Sequence, residues 1–209
     1  MSIFDIFKQI ENEKSSVGGS VTHLVVGLGN PGDKYYLTRH NAGFLAMDYI
    51  SQKAGAKVDR AKFKALVGEA EIGGKRVLLM KPQTFMNLSG KAVREAAAFY
   101  KIPAENIIVI SDDVNLDVGK MRVRKSGSDG GQRGLRSIIT LMGKDTCPRI
   151  RLGVGKKPHP DYDLADWVLS EFNKPERDLL FECFEKTYNG LVKILEGDLD
   201  GAMQICNTK

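Results

Sequence analysis

Hydrophobic positions along this chain follow two periods, one typical of strands and one typical of helices. Short continuous apolar runs that end at turn-forming residues indicate buried strands, and apolar residues spaced three and four apart indicate amphipathic helices. Strands are predicted at Leu24–Val26, Ala65–Ile72, Arg76–Met80, Asn106–Ile110, Lys120–Arg124 and Arg149–Val154. Helices are predicted at Phe44–Ala54, Ser89–Tyr100, Gly131–Met142 and Pro175–Leu195. This alternation predicts a single α/β domain with a mixed, mostly parallel, twisted sheet that carries helices on both faces.

The first residues differ from the rest of the chain and are predicted to form an extension. Apolar residues at helical spacing predict a short amphipathic helix within Met1–Lys14, and Ser15–Ser20 has the composition of a flexible linker. The chain therefore divides into an extension at residues 1–20 and an α/β domain at residues 21–209. We interpret the extension as a segment that packs on the domain or frays, and not as a membrane anchor, because its polar face mixes acidic and basic residues.

Composition and charge narrow the class of protein. The 209 residues are 42% hydrophobic and 27% charged, which is ordinary for a globular domain long enough to bury one core. A formal net charge of +5 favours a polyanionic partner only where the charge is clustered. No apolar run approaches the ~20 residues of a membrane span, and acidic residues near the amino terminus argue against a signal peptide. The odd number of cysteines, without metal-ligand spacing, predicts reduced thiols in a cytoplasmic protein.

Polar residues follow three of the predicted strands, at the point where each strand ends. Asn30 and His40 follow the first strand, Asn87 follows the third, and Asp112 and Asp113 follow the fourth. Because the carboxyl ends of parallel neighbours meet at one edge of a sheet, these groups are predicted to converge there. A histidine can take a proton from water, a carboxylate can orient it, and carboxamides can hold a carbonyl and its oxyanion. The set suits hydrolysis by direct attack of water, without a metal.

Each of these residues also has a purely structural interpretation. His40 could be a helix cap or a packed polar residue, Asn87 a turn residue or cap, and Asp112 and Asp113 caps of the turn before Gly119. Asp112 is the better partner for His40 because it lies nearer the end of the strand, and Asp113 is the alternative.

A glycine-rich turn follows the first predicted strand. Its GxGxxG spacing, at Gly27, Gly29 and Gly32, is that of a dinucleotide site. Such a site needs a helix that begins within the glycine run, and Pro31 and Asp33 interrupt that helix start. We therefore favour a sharp turn that lets the backbone approach a ligand closely, and we predict no cofactor.

A basic segment includes the fifth predicted strand and the glycine-rich loop after it. Arg122 and Arg124 alternate along Lys120–Arg124, so they point to the same face, and the next helix start offers N–H donors. This cluster suits the phosphates of a nucleic acid. A solvated edge strand that its charge keeps soluble is an equally weighted alternative.

Together these segments resemble one family. The stretches VVGLGNPG, TRHNAGF, KPQTFMNLSG, SDDVNLDVGK and GSDGGQRGL are similar, in this order, to motifs of bacterial peptidyl-tRNA hydrolases. The likeness spans residues 24–154 and continues into the carboxyl-terminal helices. It implies a monomeric α/β enzyme of the cytoplasm that hydrolyses the ester between a peptide and the 3′ ribose of a tRNA, with peptidyl-tRNA as its partner and without metal or cofactor.

The resemblance also implies roles for individual residues. His40 corresponds to the catalytic base and Asp112 to the carboxylate that orients it. Asn30 and Asn87 correspond to amides that position the peptide and its carbonyl, and Asn41 to a structural residue beside the base. Further residues assigned to substrate binding are Tyr35, Phe85 and Arg133. Arg124 and Arg151 match basic positions associated with the phosphates of the tRNA, and the alternation along the predicted strand adds Arg122.

The chain departs from the family in two places. Gln132 and Arg133 stand where His-Asn is common, and Ser111 precedes Asp112 where histidine is common. The first departure affects how the substrate is held, because arginine can grip a phosphate but offers no carbonyl acceptor. A catalytically silent relative that only binds RNA is the main alternative function. Such a relative would be expected to lack the base or its partner, whereas His40 and Asp112 are both present.

Overall fold

The computed structural model describes residues 19–207, so the predicted helix within Met1–Lys14 lies outside the described residues. The strands are β1 (His23–Gly27), β2 (Arg60–Lys62), β3 (Ala65–Ile72), β4 (Lys75–Pro82), β5 (Ile107–Asp113), β6 (Met121–Arg124) and β7 (Arg149–Gly153). The α-helices are α1 (Ala42–Lys53), α2 (Ser89–Tyr100), α3 (Arg133–Met142), α4 (Leu164–Leu169), α5 (Lys174–Glu196) and α6 (Leu199–Cys206). None of the helices in this part of the chain is long and apolar enough to cross a membrane.

One seven-stranded sheet carries the fold, with the strand order β2-β3-β4-β1-β5-β7-β6. The central strands β4, β1, β5 and β7 run parallel to one another. The strands β2, β3 and β6 add antiparallel pairs at the two edges. The predicted α/β class with a mixed sheet is confirmed, and its parallel part is the centre of the sheet.

Apolar side chains pack on both faces of this sheet. Along β5, Ile108 and Ile110 belong to the core that α1, α5 and α6 cover, whereas Ile107 and Val109 belong to the core that α2 and α3 cover. Successive residues of a strand point to opposite faces, so a strand that is covered on both sides is apolar through most of its length. The continuous apolar runs in the sequence reflect this double burial.

Strand β5 extends further than the sequence predicts. Its apolar run predicts an end at Ile110, but the pairing with β7 continues, with Asp112 opposite Leu152 and Asp113 opposite Gly153. Pairing with a strand that is distant in sequence carries β5 past its apolar run. As a result, the two carboxylates stand on the last residues of a buried strand and not on the loop after it.

Helix α3 begins later than predicted, and three short elements are not visible in the sequence pattern. Gly130 and Gly131 have φ angles of 59° and 87°, which a right-handed helix excludes, so the predicted start at Gly131 is wrong. Gln132 is instead the N-cap of α3. The strand β2 and the helices α4 and α6 are too short for an apolar period to stand out.

The turn from β1 into α1 brings two backbones into direct contact. A Cβ added to Gly43 would lie 2.5 Å from the carbonyl oxygen of Ile110 and 2.6 Å from that of Leu28. A Cβ added to Gly27 would lie 2.4 Å from the carbonyl oxygen of Gly43. These glycines therefore permit a close approach within the protein itself. The sequence interpretation of a close approach to a ligand is wrong for Gly27, which faces the backbone of Gly43.

We expect Gly43→Ala to destabilise the fold. The added methyl group would collide with the backbone of β5, which cannot rotate away, and overpacking of this kind typically costs about 1–3 kcal/mol. Urea unfolding followed by circular dichroism should show a lower midpoint. Gly19→Ala is the control, because no atom lies within 4 Å of its added carbon, and its midpoint should not change. Equal midpoints for the two variants would contradict the tight packing of α1 on β5.

Candidate active site

A cavity of about 310 Å³ opens at the carboxyl edge of the parallel strands. Its polar wall contains Asn30 and His40 from the segment after β1, Asn87 from the segment after β4, and Asp112 from the end of β5. The structure thus brings together the side chains that the sequence placed at one edge of the sheet. The arrangement combines an imidazole, a carboxylate and two carboxamides around one space.

His40 and Asp112 are hydrogen-bonded to each other in this cavity. His40 lies on the 3₁₀ turn Arg39–Asn41, directly before α1, and its Nδ1 is 2.9 Å from Oδ2 of Asp112. The side chains are 12% and 3% exposed, respectively. A carboxylate only accepts hydrogen bonds, so Nδ1 carries the proton of the neutral ring. This leaves Nε2 as the basic nitrogen.

Opposing influences set the basicity of His40. Burial by itself lowers the pKa of His40, because it disfavours the charged ring. The charge of Asp112 and its hydrogen bond outweigh burial and raise the pKa above the ordinary value of 6.5. The positive charge of Arg133 lowers the pKa again and limits the rise.

Asn30 and Asn41 fix the turn that follows β1. The Asn41 side chain accepts a hydrogen bond from the Asn30 N–H at 2.8 Å and donates one to the Asn30 carbonyl at 3.0 Å. Oδ1 of Asn30 accepts from the Met86 N–H at 2.8 Å, which orients this amide. Asn41 therefore has the structural position expected of it, and Asn30 presents its Nδ2 as a fixed donor in the cavity wall.

Exposed apolar side chains line the cavity together with the polar groups. Phe85, which is 58% exposed, lines it with its near neighbour in sequence Asn87, also exposed. Helix α4 contributes Leu164 and Leu169, both partly exposed. The sequence pattern does not reveal α4, so this part of the lining is known only from the structure.

Buried Arg39 connects α4 to the turn that carries His40. Its guanidinium donates to the carbonyl of Val154 at 2.9 Å and to Glu176 at 2.8 Å, and it lies 3.8 Å from the centre of a Trp167 ring. The carboxylate of Glu176 supplies the counter-charge that a buried guanidinium requires. This role depends on contacts between distant parts of the chain and has no local signal in the sequence.

Gln132 is a further side chain in contact with the His40–Asp112 pair. Its Oε1 accepts from the Leu135 N–H at 2.7 Å, and its Nε2 donates to Oδ1 of Asp112 at 3.0 Å. His40 and Gln132 therefore occupy one oxygen each of the same carboxylate. The sequence assigned no role to Gln132, although its place after two glycines and before a helix is a signal for an N-cap.

Asp113 has partners other than His40. Its carboxylate is 3.1 Å from Nε of Arg151 and accepts from the Asn115 N–H at 2.9 Å. Of the two carboxylates left open by the sequence, the structure therefore places Asp112 as the partner of His40.

The basic face predicted for tRNA lies on the edge strand β6 and its neighbour β7. Arg122 and Arg124 are exposed and alternate with the buried Met121 and Val123, so they share a face as the alternation predicts. Arg122 is directly opposite Arg151 on β7, and Arg151 also lines the cavity. These arginines connect the cavity wall to the edge of the sheet.

Arg133 and Tyr35 are the two remaining residues assigned to the substrate, and they differ in their relation to the cavity. Arg133 is exposed, is the first residue of α3, and lines the cavity. Tyr35 is not part of the cavity lining. It lies on the 3₁₀ helix Asp33–Tyr35, with Nζ of Lys34 4.8 Å from the centre of its ring. The cavity geometry thus supports a substrate contact for Arg133 and gives none to Tyr35.

The cysteines are not arranged for chemistry. All three are unpaired and buried. Burial raises the pKa of the Cys147 thiol to about 11 and that of Cys206 to about 12, so both are protonated at neutral pH. Among residues 19–207, His, Cys, Asp and Glu side chains form no group of three that could hold a metal ion.

The fold and the cavity define an α/β enzyme whose histidine–carboxylate pair suits hydrolysis. A family model described as peptidyl-tRNA hydrolase matches residues 24–209. This chain belongs to the peptidyl-tRNA hydrolase family, and the resemblance carried by the sequence motifs is confirmed.

Individual relatives match over nearly their whole length. The peptidyl-tRNA hydrolase of Caldicellulosiruptor bescii is 51% identical over 185 residues, which is 88% of this chain and 96% of that protein. That of Clostridium botulinum is 48% identical over 184 residues, which is 88% of this chain and 95% of that protein. A solved structure of peptidyl-tRNA hydrolase from Acinetobacter baumannii has a TM-score of 0.84 at 31% identity and covers 91% of this chain and 98% of its own.

We expect substitutions of Asp112 and Arg133 to shift the pKa of His40 in opposite directions. Asp112→Asn removes the charge that outweighs burial, so the pKa should fall below 6.5. Arg133→Gln removes a charge that lowers the pKa, so the pKa should rise. NMR titration of the imidazole signals measures both shifts, and His40→Ala identifies the signal. Shifts of the same sign would contradict this balance of charges.

Proposed function

We propose that this chain hydrolyses the ester bond between the peptide and the 3′ ribose of peptidyl-tRNA and so recycles tRNA during translation, with water activated by His40 and Asp112. The observation that carries the proposal is the partly buried 2.9 Å hydrogen bond of this pair, in a cavity that also holds the amides of Asn30 and Asn87. The relatives named peptidyl-tRNA hydrolase, which match along nearly their full length, support the same substrate.

In the proposed first step, His40 acts as a general base. A water molecule at Nε2 gives its proton to the ring while its oxygen attacks the ester carbonyl. The ring becomes positively charged, and Asp112 stabilises this charge through the Nδ1–H that it already accepts. The same hydrogen bond holds the ring in one orientation before the reaction, so no reorganisation is needed.

The attack creates an oxyanion, for which the two carboxamides are the proposed donors. Asn30 is suited to this role because the Met86 N–H fixes its Oδ1 and leaves Nδ2 to donate. Asn87 approaches from the segment after β4. When the intermediate collapses, the bond between carbonyl carbon and ribose oxygen breaks, and the protonated His40 returns its proton to the leaving 3′ oxygen. The peptide leaves with a free carboxyl group.

The walls of the cavity suit a peptide of variable sequence. Phe85, Leu164 and Leu169 offer exposed apolar surface in the cavity lining. Apolar contacts are roughly proportional to area and are not directional, so they accept many side chains. A site of this kind fits a substrate class in which the peptide differs from molecule to molecule.

Phosphates of the tRNA are the proposed ligands of Arg122, Arg124 and Arg151. The first two are exposed on the edge strand, and the third connects them to the cavity. Nε of Arg151 pairs with Asp113, which orients the guanidinium. Arg133, beside His40, is the proposed contact for a phosphate near the scissile ester. As part of the same proposal we expect a monomer that acts in the cytoplasm.

A catalytically silent protein that only binds tRNA has less support. Such a protein has no need for a base, yet His40 and Asp112 are both present and hydrogen-bonded. Release of labelled peptide from peptidyl-tRNA, without added metal or cofactor, distinguishes the two functions. Binding without release would favour the silent protein.

We expect His40→Ala to lower the rate of peptide release about 10²–10⁴-fold, the usual worth of general-base assistance. The variant should stay folded, because the side chain lies in a cavity and not in the core. Single-turnover release of peptide from peptidyl-tRNA measures the rate. His23→Ala, at the opposite end of β1, is the matched control and should be as fast as the wild type. Near-normal release by His40→Ala would exclude His40 as the base.

We expect Arg124→Ala to weaken binding of tRNA in a salt-dependent manner. Each lost phosphate contact should reduce the slope of log affinity against log salt by roughly 0.7–0.9. Arg60→Ala is the matched control, since Arg60 is an exposed arginine on β2, the edge strand at the other end of the sheet. Filter binding at several salt concentrations measures both slopes. If the slope of log affinity against log salt changed equally in both variants, the proposal that tRNA binds at the β6 edge would be contradicted.

A further inference from the structure

Gln132 makes a contact that capping a helix does not require. An N-cap needs one side-chain oxygen to accept from the first turn, and Ser, Thr, Asn and Asp supply it most often. Glutamine is longer and carries a second polar group. While Oε1 caps α3 at the Leu135 N–H, Nε2 reaches Oδ1 of Asp112 at 3.0 Å. The residue is 7% exposed, so both ends of the amide are withdrawn from bulk water.

The orientation of this amide is fixed at both ends. The Leu135 N–H can only donate, so the oxygen of the amide must face it. The carboxylate of Asp112 only accepts, so the nitrogen must face the carboxylate. A flipped amide would place N–H against N–H and oxygen against oxygen. Nε2 also contacts Sδ of Met86 at 3.1 Å, which confines the group from another side.

We propose that Gln132 is a positioning residue that holds the Asp112 carboxylate in the orientation in which His40 Nδ1 binds it. Gln132 acts on the reaction only through Asp112. The catalytic part of this inference rests on the proposed function, whereas the contact itself does not. A chain of hydrogen bonds runs from the Leu135 N–H through Gln132 and Asp112 to His40.

Two donors fix the carboxylate more firmly than one donor can. With His40 alone, the carboxylate could turn about its terminal bond and still keep one hydrogen bond. With Gln132 on Oδ1 and His40 on Oδ2, turning breaks a bond to a buried charge. Hydrogen bonds that share a chain also polarise one another, so the capped amide is a stronger donor to Asp112.

Glutamine performs this task without a charge of its own. The peptidyl-tRNA hydrolase family commonly has histidine at this position. A histidine would add a titrating group beside the His40–Asp112 pair. In this chain the charged groups that face His40 are Asp112 and Arg133. Asp113 and Arg151 line the same cavity. Gln132 therefore adds no titrating group beside His40.

Gln132→Glu tests the contact with Asp112. Glutamate keeps an oxygen that caps α3 but replaces the donor with a second carboxylate oxygen. Two carboxyl groups at this distance compete for one proton, so the NMR titration of His40 should shift to higher pH and gain a second step. The value of kcat should fall about tenfold or more, because a hydrogen bond to a charged group is lost, while KM changes little. Unchanged titration and kcat would overturn the contact.

Gln132→Met tests the positioning role. Methionine has a similar length but no donor, so Asp112 can turn away from His40. The pKa of His40 should then fall, in the direction set by burial and by Arg133. If Gln132 only stabilised the charge of Asp112 and did not position the carboxylate, removing the Gln132 donor would raise the pKa of His40. A rise, or no change, in Gln132→Met therefore overturns the proposal.

Asp198→Ala is the control for the lost helix cap. Asp198 caps α6 by accepting from the Gly201 N–H at 2.8 Å. This variant should lose thermal stability without any change in the His40 titration or in kcat. Gln132→His restores a donor and should recover kcat relative to Gln132→Glu, while adding an ionisation to the pH profile.

Peptide release tests the proposed function, and the NMR titration of His40 tests the role of Gln132 separately. If the wild-type protein released no peptide from peptidyl-tRNA, the proposed function would fail. The NMR titrations use the protein without substrate, so they would still decide whether Gln132 acts on the His40–Asp112 pair. If Gln132→Glu does not fold, the direction of the shift in Gln132→Met decides alone.

Discussion

The carboxylate of Asp112 lies almost fully buried at the end of a central strand, and a buried charge is stable only where donors replace the water that it has lost. His40 and Gln132 are those donors, and each binds one oxygen. They come from the turn before α1 and from the N-cap of α3. Both helices must therefore begin at the edge of the sheet where β5 ends. One buried charge thus constrains the architecture as well as the chemistry.

Glycine residues make this arrangement sterically possible. Gly43 lets α1 pack against the backbone of β5, which brings the preceding His40 within reach of Asp112. Gly134, in the first turn of α3, has a similar role, because a Cβ there would lie 2.6 Å from Sδ of Met86 and 3.0 Å from Oε1 of Gln132. Gly43 and Gly134, which both lie in the sequence motifs, therefore serve the packing around the site.

The sequence predicts the parts of the structure that follow from local pattern. Apolar runs identify the central strands, and the rule that strand ends share an edge brings His40 and Asp112 together. Features that depend on distant contacts are not predictable in this way. Pairing with β7 extends β5 through Asp113. The six-residue helix α4 is too short for a visible period, although it forms one wall of the cavity. The roles of Gln132 and Arg39 arise from contacts far along the chain.

Arg39 joins the turn that carries His40 to helix α4, which lines the cavity. Its backbone N–H donates to the carbonyl of Ser170, just after α4, and its side chain pairs with Glu176 at the start of α5. Displacing α4 from the cavity would cost the buried Arg39 guanidinium its contact with the Trp167 ring and its hydrogen bond to the Ser170 hydroxyl. The wall formed by α4 is therefore held next to His40. The exposed side chains of Phe85 and Asn87 line the same cavity, so residues from the segment after β4 and from α4 surround His40 together.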